Sequence, residues 1–238
     1  PVRNKVIPKN NGKGLVVGGI MGGLGNQLFI IFTTIAYSFR HNIDYAIKNI
    51  EKKRKSYFDT NLYKNIKLLD RNTSGFKFYR EPHFHYREIP KFDNVVLYGY
   101  YQSPHYFDSY KTKIIEILDL YSEREILDYD GYLHFRIGDY KNIDCHPVCD
   151  IDYYLKALED IKSKNSDNLK FIYYYELEDT DEVENKVNIL REKFPNYTFN
   201  PVDTNLVDYK QMLSMTTMKY CIIANSTFSW WGAYLNAC

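Results

Sequence analysis

The chain has 238 residues, 45% hydrophobic and 17% aromatic, enough for one large globular domain or two modest ones and incompatible with a disordered or fibrous class. Its 31 basic and 30 acidic side chains leave a formal charge of +1. No general field therefore draws it to nucleic acid or to an anionic membrane, and any bound anion must be held by a local site.

In chain order, Leu15–Ile20 reads as a short buried strand that runs into the glycine-rich turn Met21 to Gln27. Leu28, Ile31, Phe32, Ile35, Ala36 and Phe39 follow at three- and four-residue steps, the apolar stripe of a helix packed on a sheet. From Glu51 to Pro90 the sequence is polar and irregular, and loops with short helices are expected there; its basic run Lys52 to Lys55 reads as a solvated face. Asn94–Tyr101 is a second strand and Ser109–Leu120 a helix, with a domain boundary expected between Tyr121 and Asp130. Beyond it strands at 132–137, 169–175, 197–200 and 220–224 alternate with helices at 152–162, 181–193, 208–218 and from Ser229 onward. Strands alternating with helices imply a parallel sheet with right-handed crossovers, so the fold class is α/β, in two domains, 1–125 and 126–238.

Four cysteines without CxxC spacing do not make a disulfide scaffold. Cys145-His146-Pro147-Val148-Cys149 has the outline of a zinc clip but lacks partner ligands, so free thiols and no metal are expected. No run of about eighteen apolar residues occurs, nor a signal-peptide pattern, and a cytoplasmic location is expected. The chain begins at Pro1 rather than Met, which leaves room for an upstream segment carrying a membrane anchor.

In an open parallel sheet ligands bind beyond the carboxyl ends of strands, and three segments stand there. In Gly22-Gly23-Leu24-Gly25-Asn26-Gln27, Gly23 and Gly25 let backbone N–H groups approach a phosphate at a helix N-terminus, and Asn26 and Gln27 add amide donors. A dinucleotide fingerprint, with Asp44 holding a ribose, lacks its third glycine at Leu28; a purely structural turn stays equally open. In His134-Phe135-Arg136-Ile137-Gly138-Asp139-Tyr140, alternation along a strand puts His134, Arg136 and Gly138 on one face, where imidazole and guanidinium can clamp a diphosphate. The structural alternative is an Arg136–Asp139 ion pair capping the strand. In Asn225 to Gly232, Ser226, Thr227 and Ser229 offer hydroxyls beside the free N–H groups of a helix start, a second phosphate cradle. There the alternative is a serine N-cap with Trp230 and Trp231 as core.

At these segments the sequence resembles the alpha-1,2-fucosyltransferases, glycosyltransferase family eleven, whose members show a GGLGNQLF-type loop, an H-x-R-R-G-D-Y motif and an S-x-F-S-W-W motif. Here the three read GGLGNQLF (22–29), HFRIGDY (134–140) and STFSWWGAYLN (226–236), and Gly99-Tyr100-Tyr101-Gln102-Ser103 and Asp152-Tyr153-Tyr154 resemble further family stretches. The resemblance implies a GT-B type fold of two Rossmann-like domains, acceptor side first and donor side second, and inverting transfer of fucose from GDP-fucose to a glycan hydroxyl such as that of a terminal galactose, with no cofactor and no divalent cation. By motif position His134 and Arg136 would contact the diphosphate, with Arg136 in magnesium's place; Asn26 would approach the phosphate or fucose from the other domain. Ser226 and Thr227 would hold phosphate oxygens and Asp208 the guanine. Asp139 is the candidate base, or else the group that orients Arg136; Asp150, Asp152 and Glu176 are alternatives.

Two departures stand out. The second arginine of the motif is Ile137, which removes one charge near the donor; the change is expected to be tolerated because the first arginine does the clamping, with weaker binding or a changed donor as the alternatives. The chain also stops at Cys238, where relatives usually continue through another strand and a closing helix. The rival readings are a different nucleotide-sugar donor, a non-catalytic glycan- or nucleotide-binding module, and a nicotinamide oxidoreductase.

Overall fold

The computed structural model describes residues 5–6, 12–51, 55–69, 72–144, 146–164 and 168–236; Lys52, Lys53, Arg54, Cys145 and Cys238 lie outside these. The chain divides into two units, Pro1–Glu123 and Arg124–Cys238.

The first unit is built on an all-parallel sheet. Strand β2 (Leu15–Ile20) is central, flanked by β3 (Asp44–Asn49) and β6 (Asn94–Tyr98), with β4 (Lys67–Leu68) and β1 (Lys5–Val6) beyond β3 and β5 (Lys77–Arg80) beyond β6. Helix α1 (Leu24–His41) starts at the glycine turn and ends at Asn42, which adopts the left-handed conformation (φ 52°) that asparagine tolerates at a helix C-terminus. Arg40 sits in its last turn, where its charge suits the helix dipole. The helix takes in Gly25, Asn26 and Gln27, so the expected loop is shorter than its glycines suggest. Helix α2 (Lys111–Leu118) completes the unit.

Strands β3, β4 and β5 are absent from the sequence reading, each for a physical reason. β4 has two residues; β5 (Lys-Phe-Tyr-Arg) is an exposed edge with no apolar alternation; β3 (Asp-Tyr-Ala-Ile-Lys-Asn) buries only its middle three. Asp44 opens β3 opposite Leu15, at the end of the sheet away from the glycine turn. A ribose-holding acid belongs at the other end, so the dinucleotide reading fails on position as well as on its missing glycine.

The second unit pairs its strands in parallel in the order β10 (Tyr220–Ile222), β7 (Gly131–His134), β8 (Lys170–Tyr174), β9 (Thr198–Pro201), linked by α3 (Ile151–Lys164), α4 (Thr180–Lys193) and α5 (Asp208–Met215) and followed by α6 (Thr227–Tyr234). The two inner strands, β7 and β8, bury both faces. Leu133, Phe171 and Tyr173 enter one core with Leu158, Val187 and Leu190; Tyr132, Ile172 and Tyr174 enter the other with Met215 and Met218. Trp231 is buried, but Trp230 is only half-buried and stacks on Tyr234 at 4.6 Å, so one of the two expected core tryptophans is at the surface.

Gly131 shows why side-chain size is restricted here. A Cβ there would lie 2.7 Å from the Tyr220 carbonyl oxygen and 2.7 Å from the Phe171 ring, the neighbours in register on both flanking strands. Gly131→Ala is expected to cost about 1–3 kcal/mol, read as a lower midpoint in urea unfolding; an unchanged midpoint would show that the strands yield without cost.

Candidate functional site

In the second unit β8 and β9 lie on one side of β7 and β10 on the other, so the strand order reverses between β7 and β10. Open α/β sheets bind ligands at such a reversal, beyond the carboxyl ends of the strands. His134 ends β7, the loop after β10 runs into α6, and Glu176 follows β8.

His134 is only 6% exposed and its Nδ1 lies 2.8 Å from Ser229 Oγ, a hydrogen bond that ties the end of β7 to α6. The Tyr154 hydroxyl donates to its carbonyl at 2.8 Å. Burial, with the Arg136 guanidinium as a second cause, pushes the imidazole pKa down to about 3, so His134 is a neutral ring at ordinary pH. It therefore brings no charge to a diphosphate clamp; it fixes the strand end that carries one.

Arg136 stands beyond the strand, and the expected shared strand face of His134, Arg136 and Gly138 stops at His134, because the chain turns into a 3-10 segment at Gly138–Asn142. The guanidinium is 22% exposed, donates through Nη2 to Asp139 Oδ1 at 2.6 Å, pairs through Nη1 with Glu176 and lies 5.0 Å from the Tyr140 ring. Asp139 thus holds Arg136, as the structural reading has it, and the Arg136 side chain stays part-exposed beyond the end of the strand. The Gly138 N–H donates to the buried Asp179 carboxylate at 2.8 Å, and a Cβ at 138 would come 3.1 Å from Glu176 Oε2. Sequence reasoning missed Asp179, whose role depends on a contact across 41 positions.

Ile137 points elsewhere. It is 2% exposed, in the core with Phe135, Tyr154 and Leu158, so the missing second arginine of the motif leaves no gap beside Arg136. Of the three hydroxyls, Ser229 is buried against His134, while Ser226 caps α6 by accepting from the Phe228 N–H at 3.3 Å, as its alternative reading holds. Thr227 is half-buried at the first position of α6. Asp208 opens α5, half-buried, with Oδ1 accepting the Tyr209 N–H at 2.9 Å.

The glycine turn belongs to the first unit. Gly22 has φ +72°, a region that favours glycine; its N–H donates to Glu51 Oε2 at 2.7 Å and its carbonyl accepts from Gln27 Nε2 at 3.0 Å. Gln27 is 1% exposed and also donates to the Lys55 carbonyl at 2.6 Å, so its amide braces the turn instead of facing a ligand. Gly23 is exposed and caps α1, where an added Cβ would meet no atom within 4 Å, and Gly25 is buried in the first helical turn. Asn26 is half-buried and accepts from Gln102 Nε2 at 2.8 Å. Glu51 and Gln102 are partners that spacing alone does not disclose.

The family model for Glycosyl transferase family 11 matches residues 24–238, which contain all three motifs except the first two glycines of the turn. The chain belongs to glycosyl transferase family 11. Among curated relatives it is 26% identical to an alpha-1,2-colitosyltransferase of Escherichia coli, across 93% of this chain and 87% of that protein. It is also 26% identical to the O-antigen biosynthesis glycosyltransferase WbnK of Escherichia coli, across 89% and 73%. Among solved structures it resembles an Arabidopsis thaliana FUT1 mutant, R284K, in complex with GDP: TM-score 0.57, 11% identity, 98% of this chain and 70% of that one. The chain is a glycosyltransferase with a GT-B type fold, two Rossmann-like units each built on a parallel sheet. Among the described residues no cluster of His, Cys, Asp and Glu is placed to hold a metal, Cys149 and Cys221 are reduced thiols, and no helix is long and apolar enough to cross a membrane.

Burial at His134 and Ile137 has measurable consequences. His134 is neutral in the fold but titrates near 6.5 when unfolded, so protonation favours the unfolded chain. Its contribution is complete above pH 6.5 and is lost as pH falls toward about 3, with a slope of up to about 1.4 kcal/mol per pH unit. Urea unfolding at a series of pH values should show that slope and His134→Asn should flatten it; equal slopes in both proteins would assign the acid sensitivity to other groups. Ile137→Arg buries an unpaired charge and should cost about 3 kcal/mol or more, whereas Ile137→Val should cost about 1 kcal/mol. An arginine variant with wild-type melting and tighter GDP binding would instead place position 137 at the donor.

Proposed function

We propose that the enzyme transfers a 6-deoxy sugar, fucose in the first instance, from a GDP-linked donor to a hydroxyl of a terminal galactose with inversion, forming an alpha-1,2 linkage. The observation that carries this reading is Arg136, a part-exposed guanidinium held by a carboxylate at the strand reversal of the second unit. In inverting transfer the acceptor hydroxyl attacks the anomeric carbon opposite the leaving group and passes its proton to a carboxylate base, while the bond from that carbon to the diphosphate breaks and charge builds on the departing GDP. A fixed, permanently charged fork beside that diphosphate stabilises the transition state more than the ground state. In this reading the second unit takes the donor and the first takes the acceptor.

The other residues fall into roles around Arg136. Asp139, whose Oδ1 accepts from it, orients it. Thr227 and the first N–H groups of α6, beside Ser226, receive phosphate oxygens, and the Asp208 carboxylate accepts from the guanine edge. Arg136 supplies cationic charge at the leaving group, which supports a reaction that proceeds without a divalent ion. Asn26, at the start of α1, is the substrate-facing amide of the first unit. The likeness to an alpha-1,2-colitosyltransferase supports a second donor, GDP-colitose, since colitose is fucose without its 3-hydroxyl and leaves with the same diphosphate.

The test is product formation from GDP-fucose or GDP-colitose with a terminal galactoside, in EDTA, analysed by mass spectrometry and linkage analysis. Transfer from either donor supports the reading and names the sugar; transfer only from a UDP-sugar, or only with added metal, overturns it. Arg136→Ala should lower kcat/KM by about 100-fold or more and weaken GDP binding. Asp139→Asn should weaken GDP binding as well, whereas loss of turnover at unchanged GDP affinity would make Asp139 the base.

A further inference from the structure

The glycine turn is held from a distance. Glu81 follows β5, its N–H donating to the Tyr98 carbonyl at 2.9 Å, and one carboxylate oxygen, Oε2, accepts the consecutive N–H groups of Tyr100 at 2.7 Å and Tyr101 at 3.0 Å. A carboxylate gripping two adjacent N–H groups is a charge-assisted contact, about twice as strong as a neutral one. Space for it comes from Gly99, where a Cβ would collide with Glu81 Cβ and lie 2.6 Å from Oε2.

The gripped turn is strained. Tyr101 has φ +52°, a conformation that costs a bulky L-residue roughly 1–2 kcal/mol and persists only where the surroundings impose it. Here they do: the Tyr101 ring is fully buried, stands edge-on to Tyr106 with centroids 5.4 Å apart, and its hydroxyl reaches the Tyr79 carbonyl at 3.4 Å. Burial raises the Tyr101 phenol pKa, and the Glu81 charge adds to it. The next residue, Gln102, is exposed, and its Nε2 donates to Asn26 Oδ1 at 2.8 Å. Gly22 leaves room for the Asn26 amide, since a Cβ there would meet its Nδ2 at 2.6 Å.

We propose that Glu81 and Gln102 are positioning residues for transfer: Glu81 sets the strained turn at 99–102, the turn aims Gln102, and Gln102 orients the Asn26 amide at the start of α1. The inference rests on the reading of Asn26 as a substrate-facing group and explains why a Gly-Tyr-Tyr-Gln stretch accompanies the glycine turn. Neither residue touches the reacting atoms; each acts through the next.

The experiment measures transfer with whichever donor is active, GDP affinity by calorimetry, and melting temperature, on the full chain. Gln102→Leu is at the surface and should fold normally, keep GDP affinity and lose about 10- to 100-fold in kcat. Asn26→Ala should show a similar loss, and the double variant should be no worse than Asn26→Ala, because both substitutions remove one unit. Glu81→Gln, whose carbonyl still accepts both N–H groups, should keep turnover within a few-fold, while Glu81→Leu should fall as Gln102→Leu does. Wild-type turnover in Asn26→Ala would overturn both the substrate-facing reading and this one. A deep loss in Asn26→Ala with wild-type turnover in Gln102→Leu, or with losses that multiply in the double variant, would overturn the positioning alone. A Glu81→Gln loss as deep as that of Gln102→Leu would remove Glu81 from the chain of contacts.

Discussion

The second unit depends on one buried contact, the hydrogen bond between His134 and Ser229. It crosses the point where the strand order reverses, joining the end of β7 to α6. A parallel sheet leaves a crevice there because successive crossovers depart to opposite faces. Without a tie, the two chain segments that border the crevice could shift independently. A neutral imidazole suits the place: it offers a donor and an acceptor, and it has no charge to desolvate. Burial enforces that neutrality, so the residue that secures the crevice is unable to compete with Arg136 for anions.

The charge pattern around Arg136 follows. One guanidinium faces Asp139 and Glu176, and Asp179 lies just behind, taken by the Gly138 N–H. Exposed ion pairs of this kind contribute little to stability, and their effect here is geometric. Two carboxylates on different elements fix the plane of a side chain that otherwise has many rotamers, which matters where forked donors must meet oxygens in one orientation. The same carboxylates oppose the approach of an anion, so Arg136 alone is a weak attractor. At the start of α6 the Phe228 N–H is already engaged by Ser226 Oγ, and the partial positive charge of that helix end is not opposed by a carboxylate in its first turn.

The sequence made the second unit legible because its inner strands bury both faces and its helices carry clean apolar stripes. Tyr132 to Tyr174 read as strand, helix and strand with boundaries within a few residues. The strands of the first unit outside β2 and β6 were not legible. β5 has no apolar alternation and β3 buries only three residues, so nothing local separates them from loop. The site divides in the same way. Arg136, Asp139 and the glycines were visible as residue types in a motif, but Asp179, Glu51 and Glu81 act through contacts 19 to 41 positions away that no spacing encodes. Ile137 is a further case: it stands in the motif where a charge is missing, and its side chain lies in the core with Phe135, a placement set by the turn out of the strand that the motif's spacing does not show.

The two units secure their strand ends by different means, and the difference follows from what each must hold. In the second unit the partners are side chains on regular elements, so one buried hydrogen bond suffices. In the first unit the object is a glycine turn with a left-handed residue and no side chain of its own to pack. Such a turn is flexible unless its backbone groups are individually engaged. Glu51 takes the Gly22 N–H, Gln27 takes its carbonyl, and Gln102 reaches Asn26 from a turn that Glu81 holds in strain. Strain at Tyr101 is tolerable because a buried ring and a carboxylate determine that residue from two directions. Removing either would let the turn relax toward an ordinary conformation, and Gln102 would move with it.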